Sequence, residues 1–420
     1  MQQLETLLRV ALFKPACALV EHLLQSAADR IDAAYRPGPG QVRKGRENVH
    51  LQGLFGSLAL TRDYYYHEKK KQGFFPTDAA LGLEGGYTPM LARLLCLEGA
   101  DETSYQKAEF HLLETGGIPV SARQIQRLVQ GVGKAAHTWQ ERAAVPERCT
   151  APILYVSADG TGVPMRREEL TGKKGRQEDG TAKTRQAYLG CVFTQHGRDK
   201  DGHPLRDHES TTYVSCLGPI GDFGPRLRQE AVRRGMGQVP RVVLLIDGAA
   251  GLEHMGNDCF NHSLQIVDFY HALEHGGRVL EALLGHKQHP EYERRRRHWA
   301  KRLLRNGVEG LVNRARKECA GKANAQAVEK ELSYFTDNLD RMRYGTFRAQ
   351  GLFIGSGVIE AGCKTVIGAR CKQSGMFWGG EGAQNILALR CIHASRRMDA
   401  FWTDRLANKA SLLGRMDLAA

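Results

Sequence analysis

Three acidic residues stand where their types and settings suit phosphoryl-transfer chemistry. Asp159 closes the apolar run Ile153-Leu154-Tyr155-Val156-Ser157-Ala158 and precedes Gly160. Asp247 closes Val242-Val243-Leu244-Leu245-Ile246 and precedes Gly248. Glu360 follows a Gly355-Ser356-Gly357 turn, at the start of a predicted helix. A short β-rich run ending in Asp-Gly predicts a buried strand that delivers a carboxylate to the sheet edge. Two such strands side by side let their carboxylates share hard divalent cations. Mg²⁺ takes one or two carboxylates, keeps several waters and binds substrate phosphate oxygens. Two such ions about 4 Å apart clamp the attacking and leaving oxygens of an in-line displacement. The expected metal ligands are therefore Asp159, Asp247 and Glu360, with two Mg²⁺ ions, Mn²⁺ as a substitute, and no zinc.

Each acid also has a plainer reading. Asp-Gly after a strand is a common turn, and a glutamate favours a helix N-terminus by charge alone. The spacings of 88 and 113 residues carry no information, because 46 acidic residues offer many triplets. Placement carries the argument: two acids at strand ends and one in the first turn of a helix, with Ser356 as its N-cap. Lys364 lies four residues after Glu360, on the same helix face, and sets a cation beside a phosphate. Arg370, Lys372 and Gln373 follow, with Phe377-Trp378 read as core aromatics. Asp268 and His271 form an Asp-x-x-His spacing at the end of another short apolar run. They are accessory candidates for positioning DNA or the helical block that follows, or a helix-start Asp with a satisfied His.

The elements that must position these groups follow from periodicity and punctuation. Residues 2–34 are helix-prone and amphipathic, with a kink or break expected at Pro15. Pro37 to Gly40 and the basic Arg43, Lys44 and Arg46 read as a linker, and Val49–Tyr66 as a strand pair turning at Gly53 and Gly56. Thr88–Gly99 and Glu102–Glu114 read as helices. Gly116-Gly117 then gives a turn, and a helix starts at Val120-Ser121, with Ser121 as N-cap and Ile125, Leu128 and Val129 as its apolar face. Helix, glycine turn, helix is the helix-turn-helix order. Arg123, Gln124, Gln126 and Arg127 are the side chains that would reach DNA; a helical hairpin with a solvated face is the alternative.

From Pro152 the texture turns to β. Leu154–Asp159, Arg185–Thr194 and Thr211–Cys216 read as strands, with a polar loop at Gly172–Thr184. Pro225–Arg234 is a helix, Arg241–Asp247 and Leu264–Asp268 further strands. That order predicts an α/β domain with an RNase H-like mixed sheet, in which the first two acids lie on adjacent central strands. Tyr270–Gln350 is helical and basic, with 17 Lys/Arg against 10 Asp/Glu, so it holds +7 of the net +13. It reads as an all-helical insertion. Its Arg294-Arg295-Arg296-Arg297 run beside Trp299, with Lys301 and Arg302, suits phosphate binding; a solvated helix face is the alternative. The expected domains are 1–48, a helical segment and linker; 49–148, a mainly helical DNA-binding region; 149–269, the first part of the catalytic domain; 270–350, the insertion; 351–400, its second part with the Glu360 helix; and 401–420, a tail.

With 420 residues the chain is long for one core, and a pI near 9.3 favours a polyanionic partner. Ten scattered cysteines without a CxxC pair fit a reducing compartment rather than a disulfide framework or a zinc knuckle. No signal peptide is visible, and apolar stretches such as Leu7–Phe13 are too short to span a bilayer.

Taken together, LYVSADGTGVPM (154–165), LLIDGAAG (244–251), IVDFYHALEH (266–275) and GSGVIEAGCKTVIGARCKQSGMFW (355–378) resemble DDE-type transposases of bacterial insertion sequences, above all the Kra-type group. Upstream, VHLQGLFGSLALTRDYYYHEKKKQGFFPTDAALGL (49–83) and VSARQIQRLVQGVG (120–133) are similar to that family's N-terminal region. The resemblance spans most of the chain and implies Asp159, Asp247 and Glu360 as the catalytic triad. It also implies metal-dependent cleavage and strand transfer of double-stranded DNA, at terminal inverted repeats and at the target, in the bacterial cytoplasm at the nucleoid, with a homo-oligomer in the DNA complex. The sequence departs from the family at His67–Lys71, where relatives carry a cysteine pair, and at Ala249-Ala250-Gly251, where they carry an aromatic. A nuclease that cuts without joining and a non-catalytic DNA-binding derivative are the competing readings.

Overall fold

The computed structural model describes residues 2–142, 145–175, 177 and 180–411. It is a mixed α/β protein with a mixed sheet and many helices, in two compact units: Met1–Trp139 with Arg396–Ala420, and Gln140–Ser395.

In the first unit, helix α1 (Gln2–Ala34) runs beside a hairpin of β1 (Gln41–Gly53) and β2 (Gly56–His67), extended by β3 (Gln72–Phe74). Pro15 lies inside α1 without breaking it. The carbonyl that loses its usual helical donor, that of Ala11, belongs to an exposed residue. The basic stretch read as a linker is instead strand: β1 starts at Gln41, because Arg43 crosses to β2 and pairs with both oxygens of Asp63 at 2.6 and 2.7 Å. The outer edge of β2 is capped by α1. Cys17 meets Ser57 O, Glu21 accepts from Ala59 N, Gln25 bonds both backbone groups of Thr61, and Asp32 accepts from Asp63 N. Four helical residues rise about 6 Å and two strand residues about 6.6 Å, so the contacts from Cys17 to Gln25 stay in step with Ser57 to Thr61, and an otherwise open edge is covered.

Next come α2 (Pro76–Ala80), α3 (Pro89–Asp101), α4 (Tyr105–Gly116) and α5 (Ala122–Gln140). Gly117 ends α4 in the left-handed conformation at φ 59° and returns its N–H to Leu113. Gly99 of α3 lets α5 approach closely, since a Cβ there would lie 2.7 Å from Ile125 and Val129. Residues 401–411, expected as tail, belong to a helix over Met398–Ser411 that buries Phe401 against Trp139 and pairs Arg405 with Glu84. Large apolar side chains recur there at helical spacing. The rest of that tail, 412–420, lies outside the described residues.

The second unit holds β4 (Ile153–Pro164), β5 (Thr184–Arg198), β6 (Pro204–Arg206), β7 (Thr212–Leu217), α6 (Ile220–Arg233), β8 (Arg241–Ile246), α7 (Ala250–Cys259) and β9 (Leu264–Val267). The strand order is β6-β5-β4-β8-β9, with β7 also on β5. β4, β5 and β7 are antiparallel neighbours, whereas β4, β8 and β9 run parallel. α6 starts at Ile220, earlier than its proline suggested, and takes Pro225 inside it, so that the carbonyl of exposed Gly221 lacks its usual helical donor. A helical block follows: α8 (Phe269–Leu284), α9 (Tyr292–Leu303), α10 (Val308–Cys319), α11 (Ala325–Asp337) and α12 (Tyr344–Ala349), with its own core around Trp299 and Phe335. The chain then returns to the sheet through α13 (Gly357–Gly362), a π-helical turn over Cys363–Gly368, α14 (Ala369–Cys371) and α15 (Gly380–Ala394).

Gly190 shows how tightly the sheet is covered. It faces Ala158 on β4 and Val214 on β7, and a Cβ on it would lie 2.5 Å from Leu227 of α6. Gly190→Val is expected to destabilise by roughly 1–3 kcal/mol through overpacking. Urea unfolding checks this; an unchanged midpoint would mean that α6 does not rest on the β5 backbone.

Candidate active site

Buried side chains hold β4 in the middle of the sheet. Tyr155 stacks on Phe193 at 5.0 Å, and its hydroxyl donates to Gln195 at 2.7 Å and accepts from Phe353 N at 3.1 Å. The parallel register pairs Ser157 with Leu245, so two residues further on Asp159 and Asp247 emerge level with each other. Asp159 accepts from Gly160 N at 2.6 Å, and Asp247 from Ala249 N at 2.8 Å. Gly248 sits at φ 79°, and a Cβ on it would lie 2.9 Å from the Tyr334 hydroxyl. Glycine is thus required for the conformation and for the approach of Tyr334, which donates to Asp247 O at 2.7 Å.

Glu360 reaches the same sheet edge through its approach segment. Gln195 donates to Gly351 O at 2.9 Å, Tyr155 accepts from Phe353 N, and Phe269 N donates to Ile354 O at 2.9 Å. Fully buried Asp268 completes the series. It accepts from His271 N at 2.7 Å as the N-cap of α8, and from Ser356 N at 2.5 Å. The Ser356 hydroxyl does not cap α13; it donates to Glu360 Oε1 at 3.0 Å. Asp268, His271 and Glu360 thereby bring one possible ligand atom each within 4.8 Å of one another. Among the described residues this is one of three such groups, and the other two lie away from these acids.

Charge ties the two sets of acids together. Burial raises the Asp247 carboxyl above the usual carboxylate range, the Ala249 N–H and His271 oppose the rise, and the charges of Asp159 and Asp268 add to it. Cys363, three residues past Glu360, is bonded to the Asp159 carboxylate, and burial with that neighbour pushes its thiol up. His275, one turn after His271, stacks on Tyr334 at 3.5 Å and is pushed down to about 4 by burial, Arg278 and His271. The π turn after α13 leaves carbonyls without their usual helical donors. Buried Arg390 serves two of them, Val366 O and Thr365 O, each at 2.6 Å.

The structure divides the other residues singled out by sequence. Lys364 is exposed, and Lys372 donates to the Thr161 hydroxyl, two residues from Asp159. Arg370 is not a surface residue: it is 1% exposed, with its guanidinium 5.0 Å from the Trp378 ring, so its expected place at DNA is corrected to the core. Arg123, Gln124, Gln126 and Arg127 all lie exposed on α5, opposite Ile125, Leu128 and Val129. Gln124 also closes a capping box, accepting from Ser121 N at 3.0 Å and from its hydroxyl at 2.8 Å. In the arginine run, Arg295 is held by both oxygens of Glu318 and Arg294 by Glu291, while Arg296 is half-buried and Arg297 exposed. Sequence reasoning gave no sign of Tyr334, Cys363 or Arg390, because each acts from a distant or helical segment.

Residues 1–181 match a family model described as "Uncharacterised protein family (UPF0236)". No curated protein matches the chain. Among solved structures the chain is similar to the "Drosophila P element transposase strand transfer complex", at 10% sequence identity and a TM-score of 0.26, over 76% of this chain and 80% of that chain. No helix among the described residues is long and apolar enough to cross a membrane.

Asp268→Ala removes the α8 cap, worth about 1 kcal/mol, and leaves the buried Ser356 N–H unpaired at a cost of roughly 1–3 kcal/mol. Asp268→Asn keeps one acceptor oxygen and is expected to fall between wild type and Ala in thermal unfolding. An Ala variant as stable as wild type would refute the tether.

Proposed function

We propose that the protein is a DNA transposase of the DDE type, akin to the Kra-type group, with Asp159, Asp247 and Glu360 as its catalytic carboxylates. The observation that carries this reading is the level emergence of Asp159 and Asp247 from adjacent parallel strands, with the Glu360 helix tethered to the same edge through Asp268 and Ser356. The strand order, three antiparallel strands followed by two parallel ones on the other side of β4, supports an RNase H-like catalytic domain formed by 149–269 and 351–400 around the insertion 270–350.

The donors suit hard divalent cations such as Mg²⁺ or Mn²⁺. They are carboxylate oxygens with one imidazole, and the mutual repulsion acting on Asp247 is what a bound cation would relieve. When bound, such ions neutralise phosphoryl oxygens and lower the pKa of a bound water. Asp159 and Asp247 would hold both ions and Glu360 one, with His271 beside it. In the first step the oxygen of water attacks a backbone phosphorus, the bond from phosphorus to the 3′-oxygen breaks, and that oxygen leaves as a 3′-hydroxyl after taking a proton. In the second step this hydroxyl loses its proton, attacks a target phosphodiester, and displaces the target strand's 3′-oxygen. The protein contributes position and charge to both. Lys372, beside Thr161, and exposed Lys364 would meet phosphate oxygens near Asp159 and Glu360.

Residues 49–148 would read the element ends through α5, and Arg296, Arg297, Lys301 and Arg302 would add backbone contacts from the insertion. Double-stranded DNA as partner implies work in the bacterial cytoplasm, at the nucleoid.

A strand-transfer assay with a labelled element end tests the reading. The expected result is a joined product in Mg²⁺ or Mn²⁺ and none in excess chelator. Glu360→Gln is expected to abolish nicking and joining while end binding persists. Cleavage without joining would make the protein a nuclease, and binding without either would make it a non-catalytic derivative.

Arg123→Ala with Arg127→Ala tests end recognition without touching the Ser121–Gln124 cap. A bidentate Arg–guanine contact contributes roughly 1–3 kcal/mol of discrimination. The double variant is expected to lose preference for the cognate end over random DNA in a competition shift assay, with its helix content intact. Retained preference would move recognition away from α5.

A further inference from the structure

α1 is apolar on two sides. One side faces the hairpin, where Val20, Leu24 and Ala28 pack against Leu51, Leu58 and Leu60. On the opposite side Leu4, Leu8, Leu12, Leu19 and Leu23 are 52%, 53%, 70%, 59% and 58% exposed, with the exposed Ala11, Pro15 and Ala18 between them. A helix apolar on both faces is normally covered on both. Leu4 to Leu23 spans about 28 Å of helix. The strip leaves on the order of 600 Å² of apolar surface in water, the upper end of what a monomer exposes, and approaches the roughly 800 Å² per partner of a standard interface.

The strip is symmetric about its middle. Reversed end to end, Leu4 meets Leu23, Leu8 meets Leu19 and Leu12 meets Pro15, with the centre between Phe13 and Lys14. The same reversal sets exposed Glu5 against exposed His22, a complementary pair, whereas parallel alignment sets Glu5 against Glu5. A self-complementary patch of this kind closes with two-fold symmetry. We propose that the outward face of α1 is a dimerisation surface, on which a second copy of the chain packs its own α1 antiparallel. The inference stands apart from the proposed chemistry and needs neither metal nor DNA.

Sedimentation velocity of the full chain, without DNA or divalent ions, tests it. Wild type is expected to be a dimer in the micromolar range. Leu8→Glu and Leu19→Glu are each expected to sediment as monomers with an unchanged far-UV circular-dichroism spectrum, since both side chains are in solvent in the single chain. Mixing Leu8→Glu with Leu19→Lys is expected to restore the dimer, because position 8 faces position 19 of the partner. A monomeric wild type, or dimers that persist in both glutamate variants, would overturn the surface. Restoration only on mixing Leu8→Glu with Leu8→Lys would overturn the antiparallel pairing.

Discussion

The buried carboxylate of Asp268 is the constraint on which the site depends. One oxygen caps the start of α8, and so fixes where the helical block leaves the sheet. The other holds Ser356 N, and so fixes where the chain returns. Departure and return, 88 residues apart, are pinned to one side chain at the end of β9. An insertion of this size can then carry its own core without shifting Glu360. A fully buried carboxylate is costly unless its lone pairs are satisfied. Two backbone N–H donors and the start of a helix dipole supply that here, which explains why an acid rather than an amide suits the position.

The same economy shapes the electrostatics. Asp159, Asp247 and Asp268 crowd one edge, and only part of that charge is answered by N–H groups and by His271. Burial chiefly raises the Asp247 carboxyl and the charges of Asp159 and Asp268 add to the rise, so the edge is under-neutralised as it stands. His275 cannot supply the missing charge, because burial and its cationic neighbours keep it neutral near pH 7. It serves as a flat surface for Tyr334, whose hydroxyl fixes the Asp247 backbone. Rigid positioning and unanswered negative charge together are the condition for holding a cation without distorting its ligands.

The apolar run of β8 ending at Asp247-Gly248 was legible because buried parallel strands are written as continuous apolar runs with glycine punctuation, whereas β4 was expected to end at Asp159 and instead runs on to Pro164, paired with β5 throughout. The adjacency of β4 and β8 was expected from the alternation of these runs with helices. Three features were not legible. Arg43 looked like linker charge, because its partner Asp63 is on the next strand, and a cross-strand ion pair leaves no local pattern. Arg370 looked like a phosphate ligand, because its burial under Trp378 depends on a turn that sequence does not reveal. Asp268 was seen as a helix start, but its second hydrogen bond, to Ser356, is non-local. The Asp-x-x-His spacing therefore pointed to the right place with half of its reason.

The arginine run makes the general point about charge. Net charge counts every arginine alike, yet Arg295 is fixed between two oxygens of Glu318 and Arg294 is drawn to Glu291. Ion pairs cancel within the total and leave the surplus elsewhere, so +13 measures how much positive surface exists and not where it lies. Among the described residues Arg296, Arg297, Lys301 and Arg302 form no such ion pair, and His298 beside them is pushed down by burial and by Arg314, Arg302, Arg295 and Lys301. Burial is the larger cause of that shift, and the four cations around His298 lower it further, as the field of a locally positive surface does. The field, rather than the length of the run, is the physical basis for expecting a polyanion against the helical block.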